Sequence, residues 1–194
     1  MRVASLAGIS LRRMRRSRRH AFQWGAVSCA LAAATLGGAW TQAPPEAVVK
    51  AAFVRRFAEF VQWPATVVPA RSPVVLCLSP AHPFGSLVHQ VTKGAESGGR
   101  PVTIRELRKG DRPDGCHVLY VAPADHDLLP RVRDLPVLTI GDEIDFCLIG
   151  GIINLQVIDG RVRFEISLTQ AKRANLKIES QLLRLATRLH GGQP

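Results

Sequence analysis

Cysteine and histidine are the residue types here most able to do chemistry, and beyond residue 43 they are Cys77, Cys116, Cys147, His82, His89, His117, His126 and His190. No two of these cysteines stand in a C-x-x-C pair, which argues against a zinc ribbon and a thioredoxin-type site. Three thiols cannot all pair with one another, so the pairing is open at this point. The histidines show no H-E-x-x-H spacing of the kind that holds catalytic zinc on one helix face. Cys147 with a distant histidine would make the nucleophilic pair of a hydrolase; a plain unpaired cysteine is the stronger reading. Asp142, Glu143 and Asp145 are hard oxygen ligands suited to calcium, but the segment has neither the sixth-position glycine nor the twelfth-position glutamate of an EF-hand. It reads instead as a solvated acidic loop. Gly150-Gly151 lacks G-x-G-x-x-G spacing and precedes a strand, where glycines mark a bulge or bend. The expectation is a non-catalytic protein with no metal and no cofactor.

Charge narrows the class further. The 194 residues carry 26 basic and 15 acidic side chains, a formal +11. Seven of the arginines fall in residues 1–43, which hold no acid, leaving 19 basic and 15 acidic residues beyond. The rest of the chain is therefore only mildly basic, and a nucleic-acid partner is not expected. Residues 1–43 have the three parts of a secretory signal: a basic region ending at His20, an apolar stretch Ala21–Trp40, and small residues that favour cleavage after Ala43. The competing expectation is a retained anchor, since 20 residues can span a bilayer. Ser17-Arg18-Arg19 hints at twin-arginine export, although Phe22 sits one place too late for that pattern.

The elements that must position these groups are set by periodicity. Residues 45–62 predict a helix with Val49, Phe53, Phe57, Phe60 and Val61 on one face, opened by Pro45 and ended at Trp63-Pro64. Pro73–Ser79, Val102–Leu107, His117–Val121 and Val137–Ile140 predict strands. Phe84–Val91 predicts a short helix, residues 94–99 a Gly-Ser loop, and Asp125–Asp134 a helix capped by Asp125. Ile152–Leu168 predicts a hairpin turning at Asp159-Gly160. Thr169–Ala174 predicts one or two helical turns ended by Asn175 in the left-handed conformation. Ser180 is expected to cap a last helix with Leu182, Leu185, Ala186 and Leu189 on one face. Together they predict an α/β class with one domain over 44–194: a mixed β-sheet covered by helices on both faces, with a C-terminal β-hairpin and helix. The stretch Ala171–Glu179, with Arg173, Lys177 and Glu179 around a change of chain direction, is the candidate recognition surface.

Two segments carry a family resemblance. KAAFVRRFAEFVQWP (50–64) is similar to the opening helix of the YfiR proteins, and GGIINLQVIDGRVRFEISLTQAKRANLKIESQLLRLA (150–186) resembles their closing pattern. Pro136–Ile140 fits between them, so the resemblance spans roughly 50 to 187. It implies a periplasmic regulator that binds the sensor region of an inner-membrane diguanylate cyclase and holds the enzyme off, limiting cyclic di-GMP and biofilm. In some systems an outer-membrane lipoprotein sequesters such a protein, and other members accompany histidine kinases or receptors. A homodimer is also open. The other class to weigh is a small-molecule sensor feeding a receptor, which needs an apolar pocket with converging polar groups. The resemblance further implies a Cys77–Cys116 disulfide. Cys147 matches half of a second bridge whose other half is Asn154 here. Glu165 matches the family's F-E-I glutamate; on that ground it joins Arg173, Lys177 and Glu179 as a partner-binding candidate.

Overall fold

The computed structural model describes residues 45–69 and 71–191. The expected signal peptide, its cleavage site and the possible anchor lie outside the described residues.

The first helix, α1 (Glu46–Phe57), buries Lys50, Ala51, Val54 and Phe57. It is shorter than its periodicity predicts. Ala58–Phe60 tighten into a 3-10 turn, and Val61–Gln62 extend as β1. The reason is long-range: Val61 and Gln62 pair with Ile178 and Lys177, so the backbone groups of the last predicted turn bond a distant strand instead.

The central sheet has eight strands in the order β10-β8-β7-β6-β5-β2-β4-β3. Its parallel middle is built from β4 (Arg100–Glu106), β2 (Val74–Leu78), β5 (Val118–Tyr120), β6 (Leu138–Gly141) and β7 (Ile153–Ile158). The three central strands, β2, β5 and β6, are largely apolar on both sides because both faces are covered; β4 and the outer half of β7 carry exposed side chains. The Gly-Ser loop contains a two-residue strand, β3 (Glu96–Ser97), that folds back antiparallel on β4. α2 (Leu87–Thr92) begins later than predicted. At the other end β8 (Arg161–Ser167) runs antiparallel to β7. Asp159 and Gly160 both take positive φ, 51° and 69°, the backbone that a tight primed turn requires.

Two further expectations are modified by tertiary context. Asp125 does not cap a helix: its carboxylate accepts the Ala81 N–H at 2.8 Å, and its φ of −119° breaks the segment. The chain there forms a 3-10 stretch, Pro123–Leu128, continued by a short α3 (Leu129–Val132). α4 (Leu168–Arg173) is capped by Ser167, and Asn175 is left-handed at φ 54°, both as the local sequence dictates. The last predicted helix is only α5 (Ser180–Leu183), preceded by β9 (Lys177–Ile178). Leu182 is buried, but Leu185 is 64% and Leu189 42% exposed. Residues Arg188–His190 form β10, parallel to β8. The unpaired edge of β8 offers that segment more backbone hydrogen bonds than a further helical turn would.

Apolar side chains fill both sides of the sheet. On one face α1 packs on β8, with the Phe57 and Phe164 rings edge to face at 5.1 Å. On the other, Leu119, Val121, Leu129, Val132 and Phe146 surround the Cys77–Cys116 disulfide, whose Cα atoms are 5.7 Å apart.

One half-buried contact is expected to make the stability of the fold pH-dependent. The Val75 N–H donates to Nδ1 of His117 at 2.9 Å, which requires the neutral ring. Burial holds the His117 pKa below its usual value, and burial lowers that of His82 too. A depressed histidine pKa stabilises the fold above about pH 6.5 and loses that contribution as pH falls through this value towards the folded pKa. Melting is expected to drop between pH 7.5 and 5, and to drop less in His117→Asn, whose Oδ1 takes the place of Nδ1. An equal drop in both proteins would refute the assignment.

Candidate functional site

In open α/β sheets ligands sit beyond the carboxyl ends of the parallel strands. Here that end is closed by an internal polar network. Tyr120, fully buried at the end of β5, donates its hydroxyl to Asp142 at 2.7 Å. Lys50 of α1 reaches the other Asp142 oxygen at 2.7 Å and Glu46 at 2.6 Å. Burial alone would lower the lysine pKa; the bonds to Asp142 and Glu46 outweigh it and hold the pKa above its usual value. Beside them the Ala122 N–H donates to the buried Ser79 hydroxyl.

The acidic segment after β6 is therefore solvated only in part, at Asp145. Asp142 is held by Lys50 and Tyr120, and Glu143 is held by His126. Asp142 and Glu143 are committed to different partners and Asp145 is in no ion pair among the described residues, where no three His, Cys, Asp or Glu side chains gather as a metal-ligand set. Residues 142–151 form a rigid cover on the β6–β8 face. Phe146 is fully buried against Gly141 and Gly151, where any Cβ would overlap its ring. Asp145 turns at φ 64°, and its carbonyl accepts from Leu148 and Ile149. With Phe146 and Cys147 turned inward, Ile144 is left 85% and Leu148 65% exposed.

Cys147 is buried over the β7–β8 backbone, its Sγ 3.6 Å from the Ile152 carbonyl and 3.8 Å from that of Glu165. Burial, reinforced by the Glu165 charge, pushes its pKa up to about 12. The thiolate is the nucleophile, so a thiol held protonated and inaccessible does not serve a hydrolase. The nucleophilic pair of a hydrolase is therefore not formed. Reaction of native protein with a soluble disulfide reagent at pH 8 is expected to be slow until denaturant is added; rapid labelling of Cys147 would reinstate a reactive thiol. Asn154, its counterpart in the family pattern, is fully buried with neither side-chain amide atom bonded.

The four partner-binding candidates do not form one cluster. Glu165 is directed inward, bonded to His190 at 2.9 Å and 3.9 Å from Arg188, and so ties β10 to β8. Arg173 pairs with Asp134 at 2.6 Å. Lys177 is exposed and Glu179 half-buried. Lys172 and Lys177 edge an open groove of about 290 Å³ floored by Leu168, Ala171, Leu176 and Ile178. The exposed apolar loop was missed because its acids were read as hydration; the signal was its three large apolar residues, Ile144, Leu148 and Ile149, placed outside any predicted strand or helix.

Two solved structures align with part of this chain. A conserved domain protein from Vibrio cholerae O1 biovar El Tor aligns at 14% identity over 64% of this chain and 57% of that one, with a TM-score of 0.45. An ABC domain in complex with L-Trp from Streptococcus pneumonia aligns at 11% identity over 72% and 60%, with a TM-score of 0.48. The chain thus spans less than two thirds of either. Residues 47–187, from the second residue of α1 to just short of β10, match the family model described as YfiR/HmsC-like. With most of its length matched in one continuous stretch, the chain belongs to the YfiR/HmsC-like family.

Proposed function

We propose that this protein is an exported regulator that works in the periplasm by contact with another protein, inhibiting a membrane diguanylate cyclase. The observation that carries this reading is the family match over nearly the whole described domain. The surface supports it: a loop pinned by Phe146 displays large apolar side chains to solvent, a pattern suited to protein contact. Among the described residues no helix is long and apolar enough to cross a membrane. Inhibition requires only preferential binding to the inactive enzyme; about 2.7 kcal/mol of differential affinity shifts that equilibrium a hundredfold.

Within this reading Lys177 edges the contact groove, Arg173 and Glu179 contribute from the same chain segment outside its lining, and Glu165 acts through the strand it secures. An outer-membrane lipoprotein that sequesters the protein would relieve the inhibition. Deleting the gene is expected to raise cyclic di-GMP and biofilm in the native host, and the tagged protein to co-purify with the cyclase. Unchanged nucleotide levels, with a different receptor co-purifying, would replace the cyclase by that receptor. Lys177→Glu is expected to weaken the co-purification without lowering the melting temperature.

A further inference from the structure

The β7–β8 hairpin projects beyond its neighbours. β6 pairs with β7 only at Ile153 and Asn154, and β10 pairs with β8 only at Glu165–Ser167. The four outer rungs, from Leu155↔Phe164 to Ile158↔Arg161, therefore form a two-stranded ribbon with no strand on either side among the described residues. Register and alternation fix what this ribbon shows. Gly141, Asn154 and Glu165 lie side by side, so Gln156, Ile158, Arg161 and Arg163 point to the same face as they do. Phe146 packs on Gly141 and Cys147 on the backbone of this pair, which places the 142–151 loop on that face too.

That face has an apolar part and a cationic part. Ile144 and Leu148 stand out from the loop, and Ile158 is 44% exposed on the ribbon. Arg161 and Arg163 are exposed and take part in no ion pair among the described residues. With Ile158, Asp159 and Thr187 they line an open hollow of about 420 Å³. Asp159 offsets one charge, and Arg188, on the same face, is itself largely exposed. The hollow itself, with two arginines and one aspartate, is net positive, and the apolar ridge on the same face carries the exposed Asp145.

Resting on the protein-contact reading above, we propose that the partner docks on this face through an apolar segment that carries carboxylates. Arginine forks match carboxylates in two parallel hydrogen bonds, which fixes register as well as affinity. A second copy of this chain is the poorer occupant, since a two-fold contact pairs this face with itself and sets one cationic hollow against a surface that carries the same excess.

Photo-crosslinking in the native host tests the proposal. A benzophenone side chain is placed at Ile144, Leu148 or Ile158, with Lys109 on the loop after β4 as the distant control. The expected result is capture of one membrane protein from the three positions and not from Lys109, with the linked peptide mapping to an acidic, apolar stretch. Capture should fall at least about thirtyfold in Arg161→Glu/Arg163→Glu, the loss typical of a desolvated charge pair. That variant should melt like the wild type, because both side chains are exposed. If the captured protein is a receptor other than a cyclase, the surface stands and the cyclase reading falls. Capture of a second copy of the chain, capture undiminished in the double variant, a linked peptide without carboxylates, or no capture from the three positions would each overturn the proposal.

Discussion

Phe146→Ala is expected to lose about 3–5 kcal/mol of stability, the range for deleting a fully buried aromatic ring. The ring is wholly buried, and the backbone of Gly141 and Gly151 closes on both its sides. Main chain cannot collapse into the space as flexible side chains would, which places the loss high in that range. The domain as a whole holds about 5–15 kcal/mol, and 1 kcal/mol moves the melting temperature by about 2–4 °C at this size. A drop of roughly 10 °C or more is expected by calorimetry. Phe146 also pins the loop over Cys147, so the same substitution should expose that thiol to soluble reagent. Phe146→Leu, which refills much of the volume, should lose less of both. A melting temperature within about two degrees of wild type, with Cys147 still protected, would show that the loop is held by Asp142 and Glu143 rather than by the ring.

Removing the Cys77–Cys116 bridge should have an effect of similar size. The two residues are 39 apart in sequence, and each is fixed beside the other by rigid elements: Cys77 in β2, Cys116 at the entry to the neighbouring β5. Cross-linking a loop of that length restricts the unfolded chain by about 4 kcal/mol in the entropy model. The double substitution Cys77→Ala/Cys116→Ala avoids a free thiol that would mispair with Cys147. It is expected to melt about 8–16 °C below wild type, with reduced wild type shifting the same way. Peptide mapping without reductant should return one bridge and a free Cys147. A Cys147 bridge in the map, or an unchanged melting temperature, would refute the structural role.

Much of the architecture was legible because it is encoded locally. The strands announce themselves by runs of β-branched residues, and the Asp159-Gly160 turn by residues that tolerate positive φ. The αL stop at Asn175 and the fold class obey the same short-range rules. Order and spacing of the outer segments gave the family, which the match over residues 47–187 supports. Where the local reading failed, a distant partner made the difference. Helical periodicity in residues 58–62 gave way to pairing with β9, and that in 184–190 to the open edge of β8. Asp125 was drawn from a cap to the Ala81 amide.

The site divides the same way. Residue spacing alone argued against a zinc ribbon, an H-E-x-x-H site and an EF-hand, but it left a pair of Cys147 with a distant histidine open, since such partners meet only in space. Only the tertiary structure decided that Asp142 is the partner of buried Lys50, that Glu143 bonds His126, and that Cys147 is a protonated core residue. It also turned Glu165 inward and left Arg161 and Arg163 exposed on the face that carries the apolar loop. The physical reason is common to all of these. Backbone propensity and turn chemistry act over a few residues and are written in the sequence. The burial of a charge, the pKa of a thiol and the exposure of a leucine depend on what other segments bring within a few ångströms, which only the fold determines.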